Sequence, residues 1–262
     1  MMSIDAYETI FKRKSIRKYD MNPLPESSLA LISEFIAGVV PLRSEINTEI
    51  KILTHSEIHS LMAVKAPHYI AISSETSDLY LTNAGYMIQQ IDLFLSFSGF
   101  GSCYLGMAKP HDASRANMKY EFVILLAFGK AKEPLYRAKY NDFRRKTLEQ
   151  ISRVQGAADI LEAARFAPSA VNSQPWFFTG TKDELHAFCI KLNPLTAIFF
   201  EKVNKIDMGI ALCHLKTASD HFGRQSEFLF NAPPKDLSPA GFYYIATLSR
   251  LHDSGKNQPS QN

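Results

Sequence analysis

The sequence predicts an α+β fold made of two similar halves, and three observations lead to this prediction. Apolar residues recur at helical spacing in several segments, each long enough for two or more helical turns. Two short apolar runs, HYIAIS at 68–73 and EFVILLAFG at 121–129, have the length and composition of strands. A similar order of elements recurs later in the 262 residues, which indicates an internal repeat.

The first half begins with two predicted helices. SIDAYETIFKRKSIRKYD at 3–20 predicts a short helix that ends in a basic turn. NPLPESSLALISEFIAGVVP at 22–41 predicts a second helix, with Ser27 and Ser28 as candidate N-caps.

A third segment of the first half, LYLTNAGYMIQQIDLFLSFSGFG at 79–101, is long and largely apolar. Three amide side chains and one carboxylate interrupt it, namely Asn83, Gln89, Gln90 and Asp92. Because a membrane span needs about 20 mostly apolar residues, we interpret this segment as a buried core helix.

The second half repeats this order in a shorter form. AADILEAARFAP at 157–168 again runs into a proline, and KIDMGIALCHLKTASDHFG at 205–223 resembles the long helix. AGFYYIATLS at 240–249 resembles the strand at 121–129. Two glycines 14 residues apart mark each long helix, at 85 and 99 and again at 209 and 223.

We therefore interpret the chain as a degenerate tandem repeat. The first half spans 1–152 and the second spans 153–252, with the charged segment YRAKYNDFRRKTLEQISRVQG at 136–156 as the best candidate for a connection. The last residues, 253–262, are polar and predicted to be disordered.

Composition and motifs argue against several classes of protein. Hydrophobic residues make up 46% of the chain, as in soluble globular proteins, and a net charge of +3 is too small to indicate a nucleic-acid partner. The first 15 residues lack the apolar core of a signal peptide, and Cys103, Cys189 and Cys213 are far apart in sequence. We expect a cytoplasmic location, reduced thiols and no zinc site. The sequence has no dinucleotide-binding fingerprint, P-loop, nucleophile elbow or metal-ligand spacing of histidines.

The first candidate binding motif is KRKSIRKY at 12–19, which has five basic residues within seven positions around Ser15. Arginine guanidinium groups and a hydroxyl can bind a phosphate through charge-assisted hydrogen bonds worth about 1.5–3 kcal/mol each. The alternative is a solvated basic helix end that complements the helix dipole, and this stretch alone favours that alternative.

The second candidate motif is FAPSAVNSQPWFF at 166–178, where a helix must break at Pro168. Its backbone NH groups and its Asn and Gln amides could bind a polar heterocycle. The alternative is an ordinary capped turn. We interpret Trp176, the only tryptophan, as a core residue behind this loop.

The third candidate motif is GFGSCYLGMAKP at 99–110, in which glycines would let the backbone approach a ligand. Cys103 could be a reactive thiol, but a small buried residue is favoured because no histidine is close to it in sequence.

Together these motifs resemble the nitroreductase family of flavoproteins. That family has an N-terminal Arg-x-Ser-x-Arg, a Pro-Ser-x-x-Asn-x-Gln-Pro-Trp loop, a long central helix, a Gly-rich turn, a strand and a C-terminal Arg. The matching segments are RKSIRKY at 13–19, PSAVNSQPW at 168–176, GFGSCYLG at 99–106 and RRKTLEQI at 144–151. The resemblance implies an α+β, nitroreductase-like fold with central antiparallel sheets flanked by helices.

This chain departs from the family pattern in where its motifs lie. Family members are intertwined homodimers whose flavin sites each take residues from both subunits. Here the first half has the basic motif, but VVPLRSEINTEI at 39–50 stands where the loop should follow, and no Arg-x-Ser-x-Arg precedes the loop of the second half. The chain thus resembles a tandem-fused branch of the family, in which one chain imitates the dimer and its halves complete one site. This implies a monomer, and leaves open a further association of such chains.

The resemblance implies FMN as cofactor and gives each candidate residue a role. The phosphate and ribityl end of FMN would be held by Arg13, Lys14, Ser15 and Arg145, with Arg144 as the alternative to Arg145. Arg17 would lie near the pyrimidine edge of the flavin. The ring would be lined by the backbone of Tyr104, Leu105 and Gly106. From the other half would come Pro168, Ser169, Ala170, Asn172 and Gln174.

The function implied by the resemblance is FMN-dependent transfer of electrons from NADH or NADPH to a nitroaromatic, quinone or similar flat acceptor. The flavin carries the chemistry, so no catalytic side chain is assigned. Alternatives are a specialised flavin enzyme of the same family with another acceptor, and a non-catalytic flavin- or nucleotide-binding protein. A structural protein with a solvated basic N-terminus would bind no flavin.

Overall fold

Two four-stranded antiparallel sheets and two long helices form the framework of the protein. A computed structural model describes residues 5–59, 64–139, 144–231, 233 and 235–250. The helices are α1 Ala6–Lys12, α2 Glu26–Ala37, α3 Tyr80–Phe97, α4 Asp112–Ala116, α5 Leu148–Ile151, α6 Ala158–Arg165 and α7 Pro194–His221. The strands are β1 Thr48–Thr54, β2 Ile58–His59, β3 His68–Ser74, β4 Gly101–Leu105, β5 Lys109–Pro110, β6 Glu121–Gly129, β7 Trp176–Gly180, β8 Glu184–Ile190, β9 Ser226–Leu229 and β10 Phe242–Arg250.

The two large sheets have the same strand order relative to their long helices. The first sheet runs β1-β3-β6-β4 and the second runs β7-β8-β10-β9, while β2 and β5 form a separate ribbon. In each large sheet the strand that follows the long helix lies at one edge, beside the last strand of that half. Helix α3 packs on the first sheet, α7 packs on the second, and the two helices pack against each other.

Helices α3 and α7 cross where two glycines allow their backbones to touch. A Cβ atom on Gly85 would overlap the carbonyl oxygen of Ile206, and a Cβ atom on Gly209 would overlap that of Thr82. The contact is therefore reciprocal, because each glycine meets the residue three positions before the other. The Thr82 hydroxyl also donates to the carbonyl of Lys205 at 3.0 Å, which fixes the crossing.

The long apolar segments fold as predicted. The segment at 79–101 forms the buried helix α3, and the runs at 68–73, 121–129 and 240–249 form strands β3, β6 and β10. All seven residues of β3 are buried, which agrees with the apolar run from Tyr69 to Ile72 at its centre. No helix in the described ranges is both long and apolar enough to cross a membrane.

Several local predictions differ from the structure. Helix α2 begins at Glu26 after Pro25, so Ser27 and Ser28 lie in its first turn and do not cap it. Helix α7 begins at Pro194, eleven residues before the predicted segment at 205–223, because Asn193 caps its first turn by accepting from the Thr196 NH. Residues 101–105 form strand β4 where a glycine-rich turn was expected. The predicted disordered tail, 253–262, lies outside the described residues.

The glycine crossing leads to a stability prediction. Gly85→Ala and Gly209→Ala should each lower the free energy of unfolding by about 2–3 kcal/mol, since overpacking against backbone outweighs the roughly 1 kcal/mol gain in helix propensity. Urea unfolding followed by circular dichroism measures this. The matched control is Gly106→Ala, whose added Cβ would meet only Val203 Cγ1 at 3.7 Å. Equal stabilities for all three variants would contradict the crossing.

Candidate functional site

A cavity of about 160 Å³ lies between segments from residues 15–124 and segments from residues 168–210. We call it the loop cavity, because the loop after α6 forms one of its walls. Its residues from the first half are Ser15, Arg17, Cys103, Tyr104, Gly106 and Ile124. Its residues from the second half are Pro168, Ser169, Ala170, Val171, Val203, Ile206, Asp207 and Ile210.

The loop cavity brings together half of the residues selected from the sequence, although they are far apart in the chain. The selected residues that line it are Ser15, Arg17, Tyr104, Gly106, Pro168, Ser169 and Ala170. The selected residues that lie outside its wall are Arg13, Lys14, Leu105, Arg144, Arg145, Asn172 and Gln174. Leu105 is buried in β4, and Lys14 is half-buried between Arg13 and Ser15.

Arg13 forms a buried ion pair with Asp92. Its Nε lies 2.9 Å from Oδ2 of Asp92, and the two side chains are 2% and 0% exposed. Asp92 also accepts hydrogen bonds from the Ser102 hydroxyl and from Gln89 Nε2 at 3.1 Å. A guanidinium Nη of Arg13 lies 3.5 Å from Ser15 Oγ. The pair therefore ties the end of α1 to α3 and β4 and places Ser15 at the cavity.

A cluster of arginines lies beside the loop cavity. Burial, and then repulsion by Arg13, Arg137 and Arg165, lower the pKa of Arg145 to about 10. Arg13 pairs with Asp92, and Arg165 pairs with Glu162. Guanidinium groups gathered in this way could bind an anion through charge-assisted hydrogen bonds.

The amides of the loop at 168–174 hold a neighbouring segment of the chain. The Asn172 Oδ1 accepts from the Arg145 guanidinium, and its Nδ2 donates to the Arg144 carbonyl at 2.7 Å. The Gln174 Oε1 accepts from the Lys146 NH at 2.8 Å, and the Lys146 Nζ donates to the Gln174 carbonyl at 2.9 Å. These side chains thus fix the loop to residues 144–146, while its residues 168–171 line the cavity.

The loop backbone is strained at the cavity. Val171, Asn172 and Gln174 have φ angles of 48°, 59° and 49°, in the left-handed region that costs non-glycine residues about 1–3 kcal/mol each. Val171 is β-branched and 80% exposed, so packing of its side chain does not account for this conformation. Polar anchors hold it, including the Ser169 Oγ, which accepts from the Gln174 NH at 3.0 Å.

Asp207 is a further residue of the cavity that the sequence analysis missed. It lies on α7, is 4% exposed, and its Oδ2 accepts from the Ala170 NH at 3.0 Å. Burial raises the pKa of this carboxyl to about 8, against the opposing effect of the Ala170 NH. Asn83 occupies the corresponding place on α3, where its Oδ1 accepts from the NH groups of Leu42 and Arg43 at 2.8 and 3.0 Å.

The place of Asp207 could have been found from one sequence signal. It stands two positions before the crossing Gly209, as Asn83 stands two positions before Gly85. The apolar part of the cavity wall was also missed. It consists of Ile124, Val203, Ile206 and Ile210.

Cys103 and Trp176 are buried, as the sequence analysis predicted for both. Cys103 is buried, and burial raises the pKa of its thiol, which keeps it protonated. Trp176 is 1% exposed in β7. The described residues contain no cluster of three or more His, Cys, Asp or Glu side chains suited to a metal ion.

The buried carboxyl of Asp207 leads to a prediction of pH dependence. Its folded pKa of about 8 lies above the ordinary value of 3.8. Between these values the folded state keeps a proton that the unfolded state releases, so stability falls as pH rises. Asp207→Asn should remove this fall. Between pH 5 and pH 8.5, its free energy of unfolding should therefore rise by at least about 1 kcal/mol relative to that of the wild type. Urea unfolding at both pH values measures the gain, and Asp112→Asn, which neutralises an exposed carboxylate, should give none.

Comparisons with known proteins identify relatives of this chain. A family model described as "Putative TM nitroreductase" matches residues 5–219. A search of curated proteins found no match. The crystal structure of a putative nitroreductase from Thermotoga maritima is 22% identical, covers 93% of this chain and 92% of its own, and has a TM-score of 0.63. This likeness shows a shared fold.

Two further solved structures match about half of the chain. A nitroreductase with bound FMN from Bacteroides fragilis is 18% identical over 52% of this chain and 94% of its own, with a TM-score of 0.42. An FMN-dependent nitroreductase from Clostridium difficile is 19% identical over 52% of this chain and 93% of its own, with a TM-score of 0.40. The family model spans most of the chain, and the chain therefore belongs to the nitroreductase family that the model describes.

Proposed function

We propose that the protein is an FMN-dependent oxidoreductase that passes electrons from NADH or NADPH to a nitroaromatic, quinone or similar flat acceptor. The observation that carries this proposal is the loop cavity, which has Ser15 and Arg17 on one side and the backbone of residues 168–171 on the other. Membership of the nitroreductase family favours redox chemistry over simple binding.

The residues present fit FMN in two respects. The loop cavity, at about 160 Å³, is smaller than the roughly 300–1,000 Å³ of sites that enclose a whole ligand. Its apolar wall suits one face of a flat ring. The arginine cluster beside it suits a phosphate, because guanidinium groups bind phosphates through charge-assisted, often bidentate, hydrogen bonds. When bound, FMN would supply the electron-transfer chemistry.

The chain itself would position the cofactor and exclude water. Arg17 would place positive charge beside the ring, and its backbone NH is fixed by Glu133 Oε1 at 2.7 Å. Ser15, Arg13 and Arg145 would bind the phosphate and ribityl end. Ile206 and its apolar neighbours in the cavity wall would cover one face of the site.

We further propose that the two halves are degenerate copies of one unit that together imitate a dimer. The shared strand order of the two sheets and the reciprocal glycine crossing support this. A recurring hydrogen bond also supports it. Asn83 and Asp207 each accept from backbone NH groups that lie just after a proline at the end of a helical segment. Each half would then contribute part of a single flavin site.

A single-chain imitation of a dimer predicts a monomer in solution. Light scattering of the purified protein should give a mass of about 29.5 kDa, the mass of one chain. A stable mass of twice that value would contradict the proposal, because the pairing surface would then not be satisfied within the chain.

Binding of FMN tests the composite site. After FMN addition and desalting, absorbance should give one FMN per chain. Arg17→Ala should weaken FMN binding about tenfold or more, the effect of losing one charged contact. Ala170→Phe should also weaken it by filling the cavity from the other half. Lys18→Ala is the matched control, because Lys18 is exposed and lies outside the cavity wall.

Arg13 is unsuitable for this test. Removing it would leave Asp92 buried without its partner, which costs about 3–5 kcal/mol of stability and would obscure any effect on FMN. If only one of the two cavity variants weakens FMN binding, the composite site is wrong. Bleaching of the bound flavin by NADH or NADPH and recolouring by a quinone distinguishes an enzyme from a non-catalytic flavin-binding protein.

A further inference from the structure

A second and larger cavity, of about 340 Å³, lies on the other side of the glycine crossing. We call it the aromatic cavity. Its wall includes the first turn of α3, from Tyr80 to Thr82, and Lys205 of α7. The remaining wall includes Arg43, Phe230 and Tyr243. It shares no lining residue with the loop cavity.

The aromatic cavity is built from the counterparts of the segments that build the loop cavity. Arg43 stands two positions after Pro41, as Ala170 stands two positions after Pro168. Thr82 of α3 and Ile206 of α7 each lie three positions before a crossing glycine. This correspondence rests on the proposed repeat, whereas the cavity and its chemistry do not.

Aromatic rings and cations share the wall of this cavity. Tyr80, Phe230, Tyr243 and Tyr244 are half-buried residues of this wall, and the Tyr244 ring itself packs on Phe188. The Arg43 guanidinium lies 4.3 Å from the centre of the Phe230 ring, which orients its donors. An aromatic ligand would therefore meet both ring faces and a fixed guanidinium.

The charges favour an anion with a single negative charge. Arg43 pairs with Glu45, and Lys205 Nζ lies 2.7 Å from Glu201 Oε1. Both carboxylates are more than half exposed, so these pairs are weak and a ligand carboxylate could replace either one. Asp78 also lines the cavity and opposes a ligand of higher charge.

FMN does not fit this cavity well. Each cavity has one arginine in its wall, Arg17 or Arg43, but the loop cavity also has Arg13 and Arg145 bonded to the segments that form it, through Ser15 and Asn172. Arg43 also stands where the loop cavity has the small Ala170. The site thus suits a smaller ligand without a dianionic phosphate.

We propose that the aromatic cavity binds a small aromatic monocarboxylate. The ligand ring packs among the tyrosine and phenylalanine rings, and its carboxylate binds Arg43 and Lys205. This is a second ligand site, separate from the proposed flavin site and compatible with its occupation.

Fluorine NMR tests this with 4-fluorobenzoate as the probe, titrated into the full chain with and without excess FMN. We expect saturable binding of one probe per chain that FMN does not displace. Arg43→Ala should weaken binding at least tenfold, and the neutral 4-fluorobenzamide should bind correspondingly less. Arg153→Ala is the matched control, since it removes an arginine that stacks on Phe177 elsewhere, and should leave binding unchanged.

Three results would overturn the proposal: absence of saturable binding, equal affinity in Arg43→Ala, or displacement of the probe by FMN. Circular dichroism checks that the variants fold. If Arg43→Ala does not fold, Lys205→Gln provides the test, with severalfold weaker binding expected and unchanged binding again overturning the proposal. Failure of FMN to bind at all would refute the proposed function but would leave this experiment interpretable.

Discussion

The close crossing of α3 and α7 is the contact on which both cavities depend. Gly85 and Gly209 let each backbone reach a carbonyl of the other helix, so the helices approach more closely than side chains would allow. Residues of the same two helical turns then form the cavity walls, with Thr82 on one side of the crossing and Ile206 on the other. A side chain at either glycine would separate the helices and change both walls together.

The buried pair of Arg13 and Asp92 gives the basic stretch a structural role. A run of lysines and arginines is usually solvated, and this is so for the exposed Lys18, but Arg13 is 2% exposed. Removing its charge from water is costly, and the hydrogen bonds around Asp92 offset that cost. The pair thereby holds the chain so that Ser15 and Arg17 reach the loop cavity.

The sequence was most informative where burial is uniform and least informative where a single hydrogen bond or contact decides the structure. β3 is buried throughout and α3 and β6 are buried over most of their length, so their apolar composition predicts them. The start of α7 depends on the Asn193 cap, which the apolar pattern does not show. Strand β7 directly follows the polar loop, whose residues obscure the short apolar run of the strand. In the site, family resemblance selected residues from both halves, whereas the apolar period of α7 concealed Asp207. Its role depends on an NH group 37 residues away in sequence.

The polar loop at 168–174 also illustrates why residue type alone does not fix a role. Its Asn172 and Gln174 amides, which look suited to a ligand, bind residues 144–146 of the same chain. These bonds, together with that from the Ala170 NH to Asp207, hold a backbone that contains three left-handed residues. A loop held in this way would lose little conformational entropy on binding a ligand, because the folded protein already fixes its strained conformation. The amides therefore affect the cavity indirectly, by fixing the loop whose residues 168–171 line it.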